Sequence, residues 1–309
     1  MAIALALFAG CAAPQKTGHS SWRGMSPQER LDRVAASPGL DTRILRYNQG
    51  QIEFVEKRAP MAAAAAVPTV YIHGLGGNLG DFGPELLAAD SASISIAMNL
   101  PGTGRSTGPV GGFTIQAFAH SLHEMLVLRM GHRQVDLVCH SLGGQVCMAF
   151  ALDFPANVSS LTLIDAAGSY DQGEFVKRMA KQFAGVNLGD VLVSENPAIA
   201  MITGGNLNII NRVVGGNATA LSALNSFNQN YQTRIPNISV PVLIIWGEKD
   251  PIFTVPNGFF LRNNIRGSSM KVVPNAGHVP QLTDPALVEG WIRDFHESIA
   301  SHREPHENP

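Results

Sequence analysis

The run Val135-Asp136-Leu137-Val138-Cys139-His140-Ser141-Leu142-Gly143-Gly144-Gln145-Val146 places a serine where an apolar strand passes directly into a helix. A serine projecting from so sharp a turn has a strained backbone, and bulky side chains two residues to either side would strike the strand and the helix. Small residues, Cys139 and Gly143, stand at those positions. The helix that follows aims its free amides and the positive end of its dipole at the serine, which suits a developing oxyanion. These features point to nucleophilic acyl transfer. A serine hydroxyl is a weak nucleophile at neutral pH, so the chemistry also needs a neutral imidazole to take its proton. It needs a buried carboxylate as well, to orient that imidazole and stabilise its charged form. Upstream, Pro68-Thr69-Val70-Tyr71-Ile72 is a second strand running into His73-Gly74-Leu75-Gly76-Gly77. Glycine lets the main chain approach a ligand closely and take positive φ, as suits a loop that donates an N–H to a substrate oxygen. No GxxxxGK[ST] or GxGxxG follows that strand, so it is not read as a phosphate cradle.

The serine run resembles the GxSxG nucleophile elbow of the α/β-hydrolase family, with Cys139 where that family usually has Gly. His73 to Gly76 is similar to the family's HGxG loop after its third strand. The resemblance implies that the backbone amides of Leu75 and Leu142 form an oxyanion hole, and that His73 braces its loop. The family orders its triad Ser, Asp, His. Val240 to Pro251 contains Gly247-Glu248-Lys249-Asp250, similar to the family's acid loop, which makes Asp250 the carboxylate. Asp165, at the end of the preceding strand, is the alternative acid, at a position some members of the fold use. Val272-Val273-Pro274-Asn275-Ala276-Gly277-His278 is a strand and a small-residue loop presenting one histidine, which makes His278 the base. His140 is read as a packing residue, His120 and His123 as helix residues far from the strand ends, and Glu248 and Lys249 as solvated loop charges. Pro101-Gly102-Thr103-Gly104-Arg105-Ser106 resembles the PGxGxS loop after the family's fourth strand, which shapes the rim of the site. The four matches come in the family's order, within Thr42 to Ala300.

For function, the resemblance implies a serine hydrolase, carboxylesterase- or lipase-like, that cleaves a carboxylic ester through an acyl-enzyme on Ser141. It implies neither a metal nor an organic cofactor. The alternatives on the same triad are a thioesterase, a carbon–carbon-bond hydrolase and a cofactor-free haloperoxidase. From another class comes a non-catalytic binding member of the fold. A serine nucleophile argues against the family's dehalogenase and epoxide-hydrolase branches, which use a carboxylate.

These side chains need elements to position them. Alternating strand and helix candidates from Thr42 onward are the signature of a mainly parallel sheet covered by helices. Arg43 to Tyr47 and Gln51 to Lys57 flank Asn48-Gln49-Gly50 as an opening hairpin. Val67 to Ile72, Ser93 to Met98, Val135 to Val138, Leu161 to Ile164, Val242 to Trp246 and Met270 to Val273 read as buried strands. Phe113 to Met130, Leu142 to Phe154 and Pro285 to Ala300 read as helices, the last with Asp284 as N-cap before a first-turn proline. The implied fold class is α/β, an α/β-hydrolase fold with a mostly parallel eight-stranded sheet flanked by helices and a helical cap insertion. The expected organisation is a signal and tether over 1–20, the first part of the core over 21–167, the cap over 168–238, the second part of the core over 239–302 and a tail over 303–309. Ligands in open α/β sheets sit beyond the carboxyl ends of the strands, where such a cap is a lid. Its apolar residues, among them Phe175, Met179, Phe183, Met201 and Phe227, suit an apolar acyl or aromatic substrate, though most are read as the packing core of the cap itself.

Composition narrows the partners. The 309 residues are 45% hydrophobic and 15% charged, enough for a large globular domain, and a net charge of −2 gives no broad attraction for nucleic acid or anionic membranes. The expected partner is a small-molecule ester-like substrate, with no nucleic acid. Three cysteines are too few and too badly placed for a disulfide scaffold, since Cys139 and Cys147 flank a single turn. Met1 to Ala9 is apolar and Phe8-Ala9-Gly10-Cys11 follows, resembling a bacterial lipoprotein signal, although no Lys or Arg precedes Lys16. That resemblance implies lipidation at Cys11, which makes an N-terminal lipid anchor the only membrane contact expected, and a place in the bacterial cell envelope facing the periplasm. The alternative is a cytoplasmic protein with a frayed apolar N-terminus.

Overall fold

The computed structural model describes residues 22–58, 66–89, 94–108, 114–168, 231 and 233–303. The leader with Cys11, residues 304–309 and all of the expected cap except 168, 231 and 233–238 lie outside the described residues. In chain order the elements are α1 (Pro27–Ala35), β1 (Asp41–Tyr47), β2 (Gly50–Arg58), β3 (Thr69–Ile72), α2 (Gly83–Ala88), β4 (Ile94–Met98), α3 (Ile115–Met130), β5 (Val135–His140), α4 (Leu142–Asp153) and β6 (Val158–Ile164). They continue with β7 (Val242–Gly247), α5 (Val255–Asn264), β8 (Ser269–Val273), a single turn α6 (Pro280–Thr283) and α7 (Pro285–Arg303).

The eight strands form one sheet in the order β1-β2-β4-β3-β5-β6-β7-β8. The β1–β2 and β2–β4 pairs are antiparallel and the remaining five are parallel. This is the expected α/β-hydrolase fold. All residues of β3, β4, β5, β6 and β7 are buried, as they must be when helices cover both faces of a parallel sheet. The two-residue period of a strand divides them between two cores. Val70, Ile72, Ile96, Met98, Leu137, Ile244 and Trp246 join the side covered by α3, α4 and α5. Tyr71, Ala97, Val138, Leu243 and Ile245 join the side covered by α1, α2 and α7.

All eight expected strands are present, β6 beginning three residues earlier than Leu161, at Val158. The Asp284 cap holds: its Oδ1 accepts the Leu287 N–H at 3.3 Å. Helices α1, α2 and α5 were not expected. The start of α1 is nonetheless written in the sequence, because Ser26 and Glu29 form a reciprocal capping box.

One expectation is corrected. Cys139 and Cys147 are joined by a disulfide, with their Cα atoms 6.4 Å apart. Cys139 is the penultimate residue of β5 and Cys147 lies in the second turn of α4, so the reversal at Ser141 doubles the chain back and lays the helix against the strand end it has just left. The eight-residue separation that looked too cramped in one dimension thus spans the elbow that carries the serine. Closing a loop of that length removes unfolded-state entropy worth about 2–3 kcal/mol. The variant Cys139→Ala/Cys147→Ala is therefore expected, in urea unfolding, to be less stable than the oxidised protein by that margin, and dithiothreitol to lower the wild type to match it. Superimposable unfolding curves with and without reductant would contradict this.

Candidate active site

Ser141 follows β5 and precedes α4, with φ 51° and ψ −118°, a region a residue with a side chain rarely occupies. Its neighbours hold it there. The Ser141 N–H donates to the Ile164 carbonyl at 2.9 Å, and its own carbonyl accepts from the Ala167 N–H at 2.9 Å. Gly143 is needed beside it, because a Cβ there would lie 2.5 Å from the Ile72 carbonyl oxygen and 2.6 Å from that of His73. The small residue two positions after the serine thus answers to a contact with the end of β3. The equivalent position before it is filled by half of the disulfide.

The three side chains assigned from the sequence come together. The Ser141 hydroxyl donates to His278 Nε2 at 2.9 Å, and His278 Nδ1–H donates to Asp250 Oδ2 at 2.8 Å. All three residues are buried. The carboxylate partner at Nδ1 fixes the tautomer that leaves Nε2 free to accept. Asp250 is itself fixed, since its Oδ1 accepts the Ile252 and Phe253 N–H groups at 2.7 and 3.1 Å. The Phe253 ring stands edge-on to the imidazole at 5.5 Å.

Leu142 is the first residue of α4, so its N–H is among those with no intrahelical acceptor, and it adjoins the hydroxyl. Leu75 lies in the turn after β3. That turn packs on the serine, since a Cβ on Gly74 would fall 2.8 Å from Ser141 Cβ. His73 ties the turn down: its Nδ1–H donates to the Gly74 carbonyl at 2.7 Å, and its Nε2 accepts the Leu100 N–H at 3.0 Å. The loops after β3 and β4 are thereby joined through one buried imidazole, whose pKa burial lowers.

His140 does more than pack. Its Nε2–H donates to the backbone carbonyl of His278 at 2.6 Å, so the residue before the serine braces the loop that carries the imidazole. Burial, and then the neighbouring His278, hold its pKa well below the ordinary histidine range, and it stays neutral. Glu248 and Lys249 are exposed, as expected of solvated loop charges, and they also tie two loops together. Lys249 Nζ donates to Asn275 Oδ1 at 2.6 Å and the Asn275 N–H donates to Glu248 Oε2 at 2.8 Å, tying the β8 turn to the β7 turn. Neither the bracing by His140 nor these ties had a signal in sequence spacing, because each joins loops far apart along the chain.

Among the described residues, one group of three buried ligand-type side chains lies close together: His140, Asp165 and His278. With His278 engaged at both nitrogens and His140 at Nε2, too few donors remain for the three protein ligands of a typical catalytic metal.

A model of the Alpha/beta hydrolase family matches residues 69–291, the stretch that holds every one of these side chains. The chain belongs to the alpha/beta hydrolase family. It is similar to an uncharacterized protein of Mycobacterium tuberculosis, 27% identical over 268 residues that cover 77% of this chain and 78% of that protein. It is also similar to Lipase 1 of Psychrobacter immobilis, 24% identical over 239 residues, covering 71% and 73% of the two. The crystal structure of a putative lipase from Acinetobacter baumannii superposes with a TM-score of 0.69 at 18% identity, covering 94% of this chain and all of that one, a likeness of fold.

In this hydrolase the β7 and β8 loops approach closely at Gly247, where a Cβ would sit 2.0 Å from the Gly277 carbonyl oxygen. Gly247→Ala must therefore push the residue before His278 away from the Asp250 turn. Displacements of about an ångström at such a site cost about a hundredfold in rate. The variant is expected to keep its circular dichroism and to lose hydrolytic kcat on that order, and a kcat equal to wild type would show that the two loops separate without consequence.

Proposed function

We propose that the protein is a serine esterase acting on a small carboxylic ester, with Ser141 as nucleophile, His278 as base and Asp250 as acid. The observation that carries this reading is the continuous chain of hydrogen bonds from hydroxyl to imidazole to carboxylate, 2.9 and 2.8 Å, at a strained strand-to-helix turn. His278 Nε2 takes the Ser141 proton as Oγ attacks the ester carbonyl, and the charge on the imidazolium is offset by Asp250. The amides of Leu75 and Leu142 receive the oxyanion. Collapse of the tetrahedral intermediate expels the alcohol, which takes the proton from His278. Water, deprotonated by the same nitrogen, then attacks the acyl-enzyme, and the carboxylic acid leaves as Ser141 recovers its proton. The relative named Lipase 1 adds support for an ester substrate. Residues 168–238 are the proposed cap, and an apolar acyl or aromatic group the proposed occupant beneath it.

A fluorophosphonate probe is expected to label the folded wild type and not Ser141→Ala. On p-nitrophenyl esters of increasing acyl length, Ser141→Ala and His278→Ala are each expected to lower kcat by at least about a thousandfold. Folded wild-type protein that takes no label and turns over no ester would overturn the reading in favour of a binding member of the fold.

We also infer export and lipid anchoring through Cys11, with the domain facing the periplasm. The apolar leader ending in Ala9-Gly10-Cys11 supports this, as does the Cys139–Cys147 disulfide, since such bonds persist in oxidising compartments. Incorporation of labelled palmitate in a bacterial host is expected, with its loss in Cys11→Ala. A fully soluble, unlabelled wild-type product would refute the anchor.

A further inference from the structure

Asp165, which follows β6, is fully buried and held at φ 43°. Its N–H donates to the Ile245 carbonyl at 3.0 Å, and its Oδ1 accepts the Gly247 N–H at 2.8 Å. Its Oδ2 is buried and has no hydrogen-bond donor within reach among the described residues. Around it stand His278 from the loop after β8 and His140 from the end of β5. Asp250, bonded to His278 Nδ1, belongs to the same β7 loop as Gly247, whose amide Asp165 holds and whose carbonyl accepts the Asp250 N–H at 3.2 Å. A carboxylate oxygen of Asp165 lies within 4.8 Å of a ring nitrogen of each histidine.

Two buried carboxylates side by side do not both ionise, because neither can shed the repulsion of the other into water. Donors decide which keeps the charge. Among the described residues Asp250 receives three, from the Ile252 and Phe253 amides and from His278 Nδ1, whereas Asp165 receives the Gly247 amide. A carboxylate offers about four acceptor positions, so Asp250 retains one for a further donor. We propose that Asp165 donates an O–H hydrogen bond from Oδ2 to the Asp250 carboxylate, as a positioning residue that fixes the acid of the relay. The proposal rests on the roles given above to Ser141, His278 and Asp250. Burial first, and then the charge of Asp250 and contact with it, push the Asp165 pKa well above the usual carboxylate range, the direction a carboxyl donor requires. The arrangement also leaves one negative charge, not two, beside His278.

Two variants test this. Asp165→Asn can accept the Gly247 N–H through its amide oxygen and donate to Asp250 through its amide nitrogen, and asparagine tolerates positive φ. Asp165→Gly removes the donor while relieving the backbone. In the pH dependence of kcat/KM on a p-nitrophenyl ester, Asp165→Asn is expected to leave the acidic limb in place and kcat within about threefold of wild type. Asp165→Gly is expected to lose about tenfold or more in kcat with KM little changed. An ionised Asp165 would give a different result. Its replacement by a neutral amide would remove an anion beside His278 and move the acidic limb to lower pH by about one unit or more. That shift, or a wild-type kcat in Asp165→Gly, would overturn the proposal. If Asp165→Gly does not fold, the limb of Asp165→Asn decides alone. If the wild type neither takes the probe nor turns over ester, the hydrolytic reading fails instead. The protonation of Asp165 is then read from its carboxyl 13C resonance, assigned by its loss in Asp165→Asn. A protonated position held across about pH 5 to 8 supports the hydrogen bond to Asp250, and an ionised one overturns it.

Discussion

The backbone at Ser141 is held where a side-chain-bearing residue does not rest unaided, and the surrounding structure is arranged to keep it there. A conformation of this kind costs on the order of 1–3 kcal/mol and persists only when its neighbours over-determine it. Here they do so from three directions. The carbonyl of Ile164 and the amide of Ala167 hold the peptide groups on both sides of the serine from the β6 end. Gly143 brings α4 down onto the last carbonyls of β3. The Cys139–Cys147 bond ties the end of β5 to the helix that leaves it. Relaxing Ser141 would break contacts to two neighbouring strands at once. The reward is geometric: the hydroxyl projects from the carboxyl edge of the sheet with the first amide of α4 beside it.

The same edge explains how residues more than a hundred positions apart meet. Strands β7 and β8 are parallel neighbours, so the loops after them emerge side by side, and they are joined before either side chain is considered. The Glu248 and Lys249 amides donate to the Val273 and Ala276 carbonyls at 3.1 and 2.8 Å, and the missing side chain at Gly247 lets the two backbones touch. Asp250 and His278 are therefore presented by what is effectively one folded surface. That surface is fastened to the elbow through the His140 bond to the His278 carbonyl, and to the end of β6 through the Gly247 amide on Asp165.

What could be read from the sequence divides along this line. Strands β3 to β8 were legible because each is a short apolar or β-branched run ended by turn residues, β1 and β2 because they flank Asn48-Gln49-Gly50, and Ser141, Asp250 and His278 because each follows such a run in a loop of recognisable composition. Asp284 was legible as a cap because a cap is a contact over three residues. The disulfide was misread because spacing along the chain says nothing of a turn that folds the chain back on itself. His140 and Asp165 were noticed for what they are next to in sequence, and their partners, the His278 carbonyl and the Gly247 amide, are set by strand order. Helix α5 carries little amphipathic pattern, and its place depends on burying Leu261 beneath β7 and β8.

Three imidazoles belong to the strand ends and loops that meet at the serine, and in the proposed mechanism hydrogen bonding decides which of them can receive its proton. His73 is spent at both nitrogens, on Gly74 and on the Leu100 amide. His140 has a free nitrogen, Nδ1, but its Nε2–H is committed to the His278 carbonyl, and burial without a carboxylate partner opposes any charge on the ring. Protonating either would strand a cation in an apolar interior, at a cost of several kcal/mol. His278 alone has a carboxylate on one nitrogen and the serine hydroxyl on the other. The neutrality of the first two is therefore part of the site's logic: each lends rigidity to a loop without adding a positive charge that would disfavour the imidazolium on the third. In the proposed mechanism, proton transfer is confined to one nitrogen by what the others already hold.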